Sequence, residues 1–171
     1  MTENGRTIFD NNEDTLCAQP LREGIMVCVT GQRSCERLIM HGAKRSLVSR
    51  DNGANTADDS APADLTEVIS DGRAKILPLY IVHCVQTGQN FMNTPYEADA
   101  IEYLFTCAQV VGAELTILRE DSVEDALARF ARENNVGVIV MGAPGENGAG
   151  KGRFAMRLQD LLPDVEFDVL M

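Results

Sequence analysis

Gly142, Gly145, Gly148, Gly150 and Gly152 crowd one short stretch near the C-terminal end, and Lys151 and Arg153 sit among them. Residue types in this pattern suit anion binding. Glycines let a backbone approach a ligand closely, and the free N–H groups and dipole at a helix N-terminus attract negative charge. The flanking residues predict the elements that would position such a loop. Val138, Ile139, Val140 and Met141 read as a buried strand before it. Phe154, Leu158, Leu161 and Leu162 recur at helical spacing after it, as far as Pro163. Strand, glycine loop and helix together form a phosphate cradle; the plainer alternative is a turn between strand and helix with no ligand.

Other chemistry finds less support. Gly145 to Gly152 also reads G-x-x-x-x-G-K-G, one residue from a P-loop, but the hydroxyl that would hold magnesium is missing. No later strand ends in an aspartate suited to a Walker-B role, so a weak nucleotide-hydrolysing enzyme is the least favoured reading. Cys35 stands at a predicted helix start, where the dipole would sharpen its reactivity, yet it shares the apolar face of Leu38 and Ile39 and reads as a buried thiol. Cys28, Cys84 and Cys107 read as core, and Cys17 lies in a polar tail. His41 and His83 have no Ser/His/Asp arrangement or metal-ligand spacing around them and read as packed or solvated. The acidic run from Asp51 to Asp64 lacks EF-hand spacing. No catalytic residue and no metal site is expected, and the function expected is binding rather than turnover.

The whole chain sets the frame. Its 171 residues are most simply one domain with a sizeable core, and 44% hydrophobic content is ordinary for a globular protein. A net charge of −11 argues against nucleic acid as a partner. No apolar run reaches the length of a membrane span, and the polar N-terminus has no signal-peptide core. Five cysteines without a C-x-x-C pair suit a reducing cytoplasm.

Taken in order, residues 1–23 form a polar tail expected to be flexible, and residues 24–171 the domain. Strands are predicted at Ile25–Val29, Ile76–Val85, Glu114–Leu118, Val136–Met141 and Val165–Met171, with Pro78 near an edge or bulge. Ser34 is expected to cap a helix whose apolar face is Cys35, Leu38, Ile39, Gly42 and Ala43. Arg50 to Pro62 reads as an acidic, solvated insertion, followed by a short helix around Leu65, Val68 and Ile69. Thr94-Pro95-Tyr96-Glu97 is a capping box. It opens a helix facing inward through Ile101, Leu104, Phe105, Ala108 and Val111 and ending at Gly112. Asp121 with Glu124 opens another, with Val123, Ala126, Leu127, Phe130 and Ala131 inside. Alternating strands and amphipathic helices predict an α/β, doubly wound, Rossmann-like fold around a five-stranded parallel sheet. Ligands in such folds bind beyond the carboxyl ends of the strands where strand order reverses. The loops Thr30–Arg33 and Gly142–Arg153 are the candidates.

Three stretches carry a resemblance to a known family: IMVCVTGQRSCERLI, GAELTILREDSVEDALARFARENNVGVIVMG and GRFAMRLQDLLPDVEFDVL. The chain resembles the universal stress protein family across roughly residues 24 to 171, and within it the stress-protein domain of potassium-responsive sensor kinases. The resemblance implies a stress-response or signalling module. Family members that bind ATP use Gly-x2-Gly-x9-Gly-(Ser/Thr), and Gly142 and Gly145 match its first pair. Gly152 and Arg153 fall on the last pair in a shorter loop, with arginine in place of the hydroxyl. Thr30 stands where ATP-binding members carry an aspartate at the adenine end. The resemblance implies ATP or another adenine nucleotide as the ligand, held by Gly142, Gly145, Gly150, Lys151, Gly152, Arg153 and Thr30. The alternative is a ligand-free interaction module of the same fold that acts through a signalling partner. Family members pair through their last strand, which implies a homodimer through Val165–Met171.

Overall fold

A computed structural model describes residues 22–49, 74–90, 92, 94–143 and 151–171. The chain enters beside the sheet. The carbonyl oxygen of Arg22 lies so close to Gly137 that a Cβ there would meet it at 2.3 Å, and Glu23 is ion-paired with Lys75. The remainder of the expected tail, the acidic insertion and the short helix around Leu65 lie outside the described residues.

Strand β1 (Gly24–Val29) is the centre of the molecule. A short 3-10 turn (Arg33–Cys35) leads into α1 (Glu36–Ser46), then β2 (Leu47–Ser49). The chain returns through β3 (Ala74–Ile76) into β4 (Leu79–Gln86), α2 (Pro95–Val110), β5 (Glu114–Glu120) and α3 (Val123–Glu133). It closes with β6 (Val136–Gly142), α4 (Lys151–Leu161) and β7 (Glu166–Leu170). The main sheet has the order β5-β4-β1-β6-β7, and every pairing in it is parallel. The chain therefore winds outward from β1 in one direction and then in the other. This is the doubly wound fold expected.

The strands are buried on both faces because their side chains alternate between two helical layers. Val27, Val29 and Val140 face α1 and α2, meeting Leu38, Ile39, Ile101 and Leu104. Met26, Val82 and Ile139 face α3 and α4, meeting Leu127, Ala131, Leu158 and Leu162. On the first face α1 lies close to the sheet because position 42 is glycine. A Cβ on Gly42 would stand 2.3 Å from the Cγ2 of Val27. Gly112 ends α2 at a φ of +72°, the left-handed conformation that glycine adopts at least cost.

Several local expectations need correction. Ile76 and Val85 do not share one strand. Pro78 lacks an N–H, the Leu77 N–H donates to the Ser46 carbonyl (2.7 Å), and β3 instead pairs antiparallel with β2. Ser34 does not cap α1, which begins after the 3-10 turn with no side-chain cap. Ser122 rather than Asp121 caps α3, accepting from the Asp125 N–H at 3.3 Å. Phe105, expected inside, is exposed. Thr94 caps α2 as expected, its hydroxyl accepting from the Glu97 N–H at 3.2 Å.

Candidate functional site

The carboxyl ends of β1, β4 and β6 open into a cleft of about 720 Å³. It lies where strand order reverses, and its size is that of a small-molecule site. One wall is the turn after β1. Gln32 N–H donates to the Thr30 carbonyl (2.7 Å) and Cys35 N–H to the Gln32 carbonyl (3.1 Å), which curls Thr30, Gln32 and Ser34 over the opening. Both the N–H and the hydroxyl of Thr30 lie 3.4 Å from the Cys35 sulfur. Cys35 is thereby buried as a structural thiol, as expected. Arg37 and Leu38 of α1 continue this wall.

The opposite wall comes from the first turns of α3 and α4: Val123, Glu124 and Leu127 with Phe154 and Ala155. The floor is Cys28, Val82, Cys84 and Met141, with Gly142 and Ala143 at the rim. Of the predicted site residues, Thr30 and Gly142 line the cleft. A Cβ on Gly142 would meet only the Leu38 Cδ1, at 3.8 Å, so the fold itself does not demand glycine there. Lys151 and Gly152 belong to the first turn of α4, and the helix starts earlier than Phe154 suggested. Arg153 is exposed and is not among the residues lining the cleft. Gly145 and Gly150 lie outside the described residues.

Among the described lining residues the cation is Arg37, from α1, and the carboxylate is Glu124. The Glu124 side chain is 19% exposed and its carboxylate lies 3.6 Å from the Arg157 guanidinium. Glu124 and Phe154 also wall a second, more open hollow of about 510 Å³ that includes Gln86, Asp121 and Ser122.

Cys28 and Cys84 were expected in the core, yet both are only half-buried and face the cleft. Burial, and next the neighbouring Cys84, push the Cys28 thiol up to about 12. Cys84 is raised by burial and then by Glu120 and Glu124, against an opposing effect of Arg129. Both thiols are protonated at neutral pH, which makes them poor nucleophiles. His83 is packed, with its Nδ1 2.9 Å from the Val29 carbonyl oxygen. His41, which has no acidic partner nearby in sequence, meets Asp168 of β7 at 3.1 Å. Arg45 joins them, reaching Asp168 at 3.0 Å and Glu166 at 2.6 Å. Among the described residues no group of three or more His, Cys, Asp or Glu side chains gathers to hold a metal ion. Nor is any described helix long and apolar enough to cross a membrane.

In sequence, no family model and no curated protein matches this chain. In structure, it is similar to a universal stress protein from Archaeoglobus fulgidus, with a TM-score of 0.52 at 19% identity over 86% of this chain and 93% of that one. It is also similar to the universal stress protein UspA from Lactobacillus plantarum, with a TM-score of 0.52 at 14% identity over 90% of this chain and all of the other. The five-stranded parallel sheet and its helices have the universal stress protein fold.

Proposed function

We propose that this chain is a universal-stress-type regulatory module that binds an adenine nucleotide or a similar anionic small molecule in the cleft beyond β1, β4 and β6. The observation that carries this reading is the placement of the cleft. It sits at the reversal of strand order, with the N-terminal turn of α4 at its mouth. A planar base suits the apolar side formed by Val82, Val123, Leu127 and Phe154. Thr30, Gln32 and Ser34 offer hydrogen bonds on the other side, and the start of α4 with Lys151 offers positive charge to a phosphate. Among the described lining residues no nucleophile stands beside a base, and the reading is binding rather than turnover. Resemblance to the stress-protein domain of sensor kinases supports a signalling role, and a cytoplasmic location fits it.

Calorimetric titration with ATP, ADP and cyclic dinucleotides tests this. One charge-assisted contact at roughly 1.5–3 kcal/mol predicts that Lys151→Ala weakens binding by roughly 10-fold or more, while Arg153→Ala, outside the cleft, changes it little. No heat at millimolar ligand, or equal binding by Lys151→Ala, defeats the reading.

One observation favours a second reading, an interaction module without a ligand. Glu124 puts a carboxylate into the wall that a polyphosphate would have to approach. In that case Glu124→Gln leaves titrations silent, whereas a nucleotide site binds more tightly once the charge is gone. Either reading is compatible with a homodimer through β7. That strand is a sheet edge, and Val169 and Met171 are exposed beside it. Sedimentation as a monomer at high micromolar concentration, or a dimer that survives Val169→Pro, removes β7 as the dimer strand.

A further inference from the structure

We infer that the floor of the cleft is a soft-metal site, in which the thiols of Cys28 and Cys84 and the thioether of Met141 take a monovalent copper ion. The sheet register brings the three sulfurs together. Cys28 pairs with Val82, so Cys84, two residues further along β4, lies diagonally opposite on the same face. Val27 pairs with Val140, which sets the next residue of β1, Cys28, beside Met141 of β6. All three belong to the face covered by α3 and α4, and all three line the cleft.

The spacing is suitable. Strands lie about 4.8 Å apart and rise about 3.3 Å per residue, so diagonal neighbours two residues on stand roughly 8 Å apart at the backbone, with side-chain tips closer when they lean inward. Two metal–thiolate bonds of about 2.3 Å each bridge about that remaining gap. The neighbouring strand then presents Met141 from the other side of Cys28.

Donor chemistry decides which ion. Thiolate and thioether sulfur select copper(I), while carboxylates and carbonyls serve hard cations. Structural zinc takes four ligands, and no group of three or more of its usual side chains gathers among the described residues. Copper(I) is content with two or three sulfurs. Val82, Leu127 and Phe154 surround the floor with apolar surface, which keeps water from the ion; both thiols release their protons to solvent on binding, and copper(I) cancels one of the two thiolate charges. Both cysteines are half-buried, so the ion has a way in. The inference does not depend on a nucleotide: the sulfurs are strand residues beneath the opening, apart from the glycine loop.

The test is an anaerobic titration of the full chain carrying Cys17→Ser with copper(I), in competition with the chromogenic chelator bicinchoninate. The thiolate-to-copper band in the ultraviolet is followed at the same time. The expected result is one copper per chain. Cys28→Ser and Cys84→Ser should each weaken binding by more than the roughly 10²-fold that loss of an outer-shell partner costs at a metal site. Met141→Leu, which keeps the volume, should weaken it less, and Cys107→Ser, buried on the other face, should change nothing. Zinc should fail to displace the copper. Removal of all copper from the parent by the chelator overturns the site, as does unchanged affinity in the double serine variant. If the serine variants do not fold, Met141→Leu decides: an unaltered affinity and band overturn the inference.

Discussion

The two faces of the sheet are built from the same strands, yet they end differently. On the face covered by α1 and α2, the apolar side chains reaching the cleft, Val29, Cys35 and Leu38, are all buried. Gly42 lets α1 settle onto Val27, and the outer rim is tied by Arg33 to Asp99 (2.9 Å) and by the Tyr103 hydroxyl donating to Glu36. Arg33 also stacks on the Tyr103 ring at 4.6 Å. On the face covered by α3 and α4, the core is closed around Met26, Ile139 and Leu158 but loosens towards the strand ends. There Cys28, Cys84, Phe154 and Ala155 are only half-buried. One face is a wall, and the other holds the room that a ligand needs. The proposed site is therefore a place where packing on one side of a shared sheet stops a turn early, while the other side holds the geometry.

The comparison has measurable consequences. The largest concerns Cys28. With its thiol at about 12 against an ordinary 9.0, its alkylation by iodoacetamide at pH 8 should run roughly 10³-fold below that of an unfolded thiol. Mass spectrometry of the modified peptides measures this; an ordinary rate would mean the floor is wetter than its burial implies. The same shift sets a sign for stability. The folded state holds this proton more tightly than the unfolded chain, so the contribution is complete below pH 9.0 and is lost as pH rises from there towards about 12. Cys28→Ser should flatten the alkaline fall in stability over that window.

Next in size is the wall itself. Leu104 is fully buried against the first face, and Leu104→Ala should cost roughly 2–5 kcal/mol in urea unfolding. Phe154→Ala, at the open end, should cost less than half the value found for Leu104. Equal losses would erase the distinction between the faces.

Smaller again is the cap of α3 on the open side. Ser122→Ala removes the acceptor for the Asp125 N–H and should cost about 1 kcal/mol. The smallest effect belongs to the partly exposed tie between α1 and β7. Asp168→Asn should change stability by no more than about 1 kcal/mol, and the change should shrink further in high salt.

Much of this architecture was legible in the sequence because it rests on local periodicity. Unbroken apolar runs and helical spacing placed β1, β6 and the inward faces of α2 and α3, and the reversal rule directed attention to Thr30 and Gly142. What escaped depends on register and distance. The β2–β3 pair joins segments far apart in the chain, and nothing near Pro78 says where the displaced residues will pair. His41 meets Asp168, and Arg45 meets Glu166, only because α1 lies beside β7. The cleft-facing roles of Cys28, Cys84, Arg37 and Glu124 follow from which face each side chain takes and where a helix begins. A strand of unbroken apolar residues does not reveal the first, and Ser122 competing with Asp121 for the cap blurs the second.

The position of β1 has a consequence for how the molecule comes to exist. The first described strand is the middle strand of the main sheet, with Ile25 paired to Leu79 on one side and Val138 on the other. During synthesis it emerges with both backbone edges bare and must wait for most of the chain before its second neighbour arrives. Contacts of such sequence separation slow folding and leave a sticky edge exposed meanwhile. The central strand is thus the one in greatest need of protection on the ribosome. In the finished fold it should be the last to exchange its amide hydrogens.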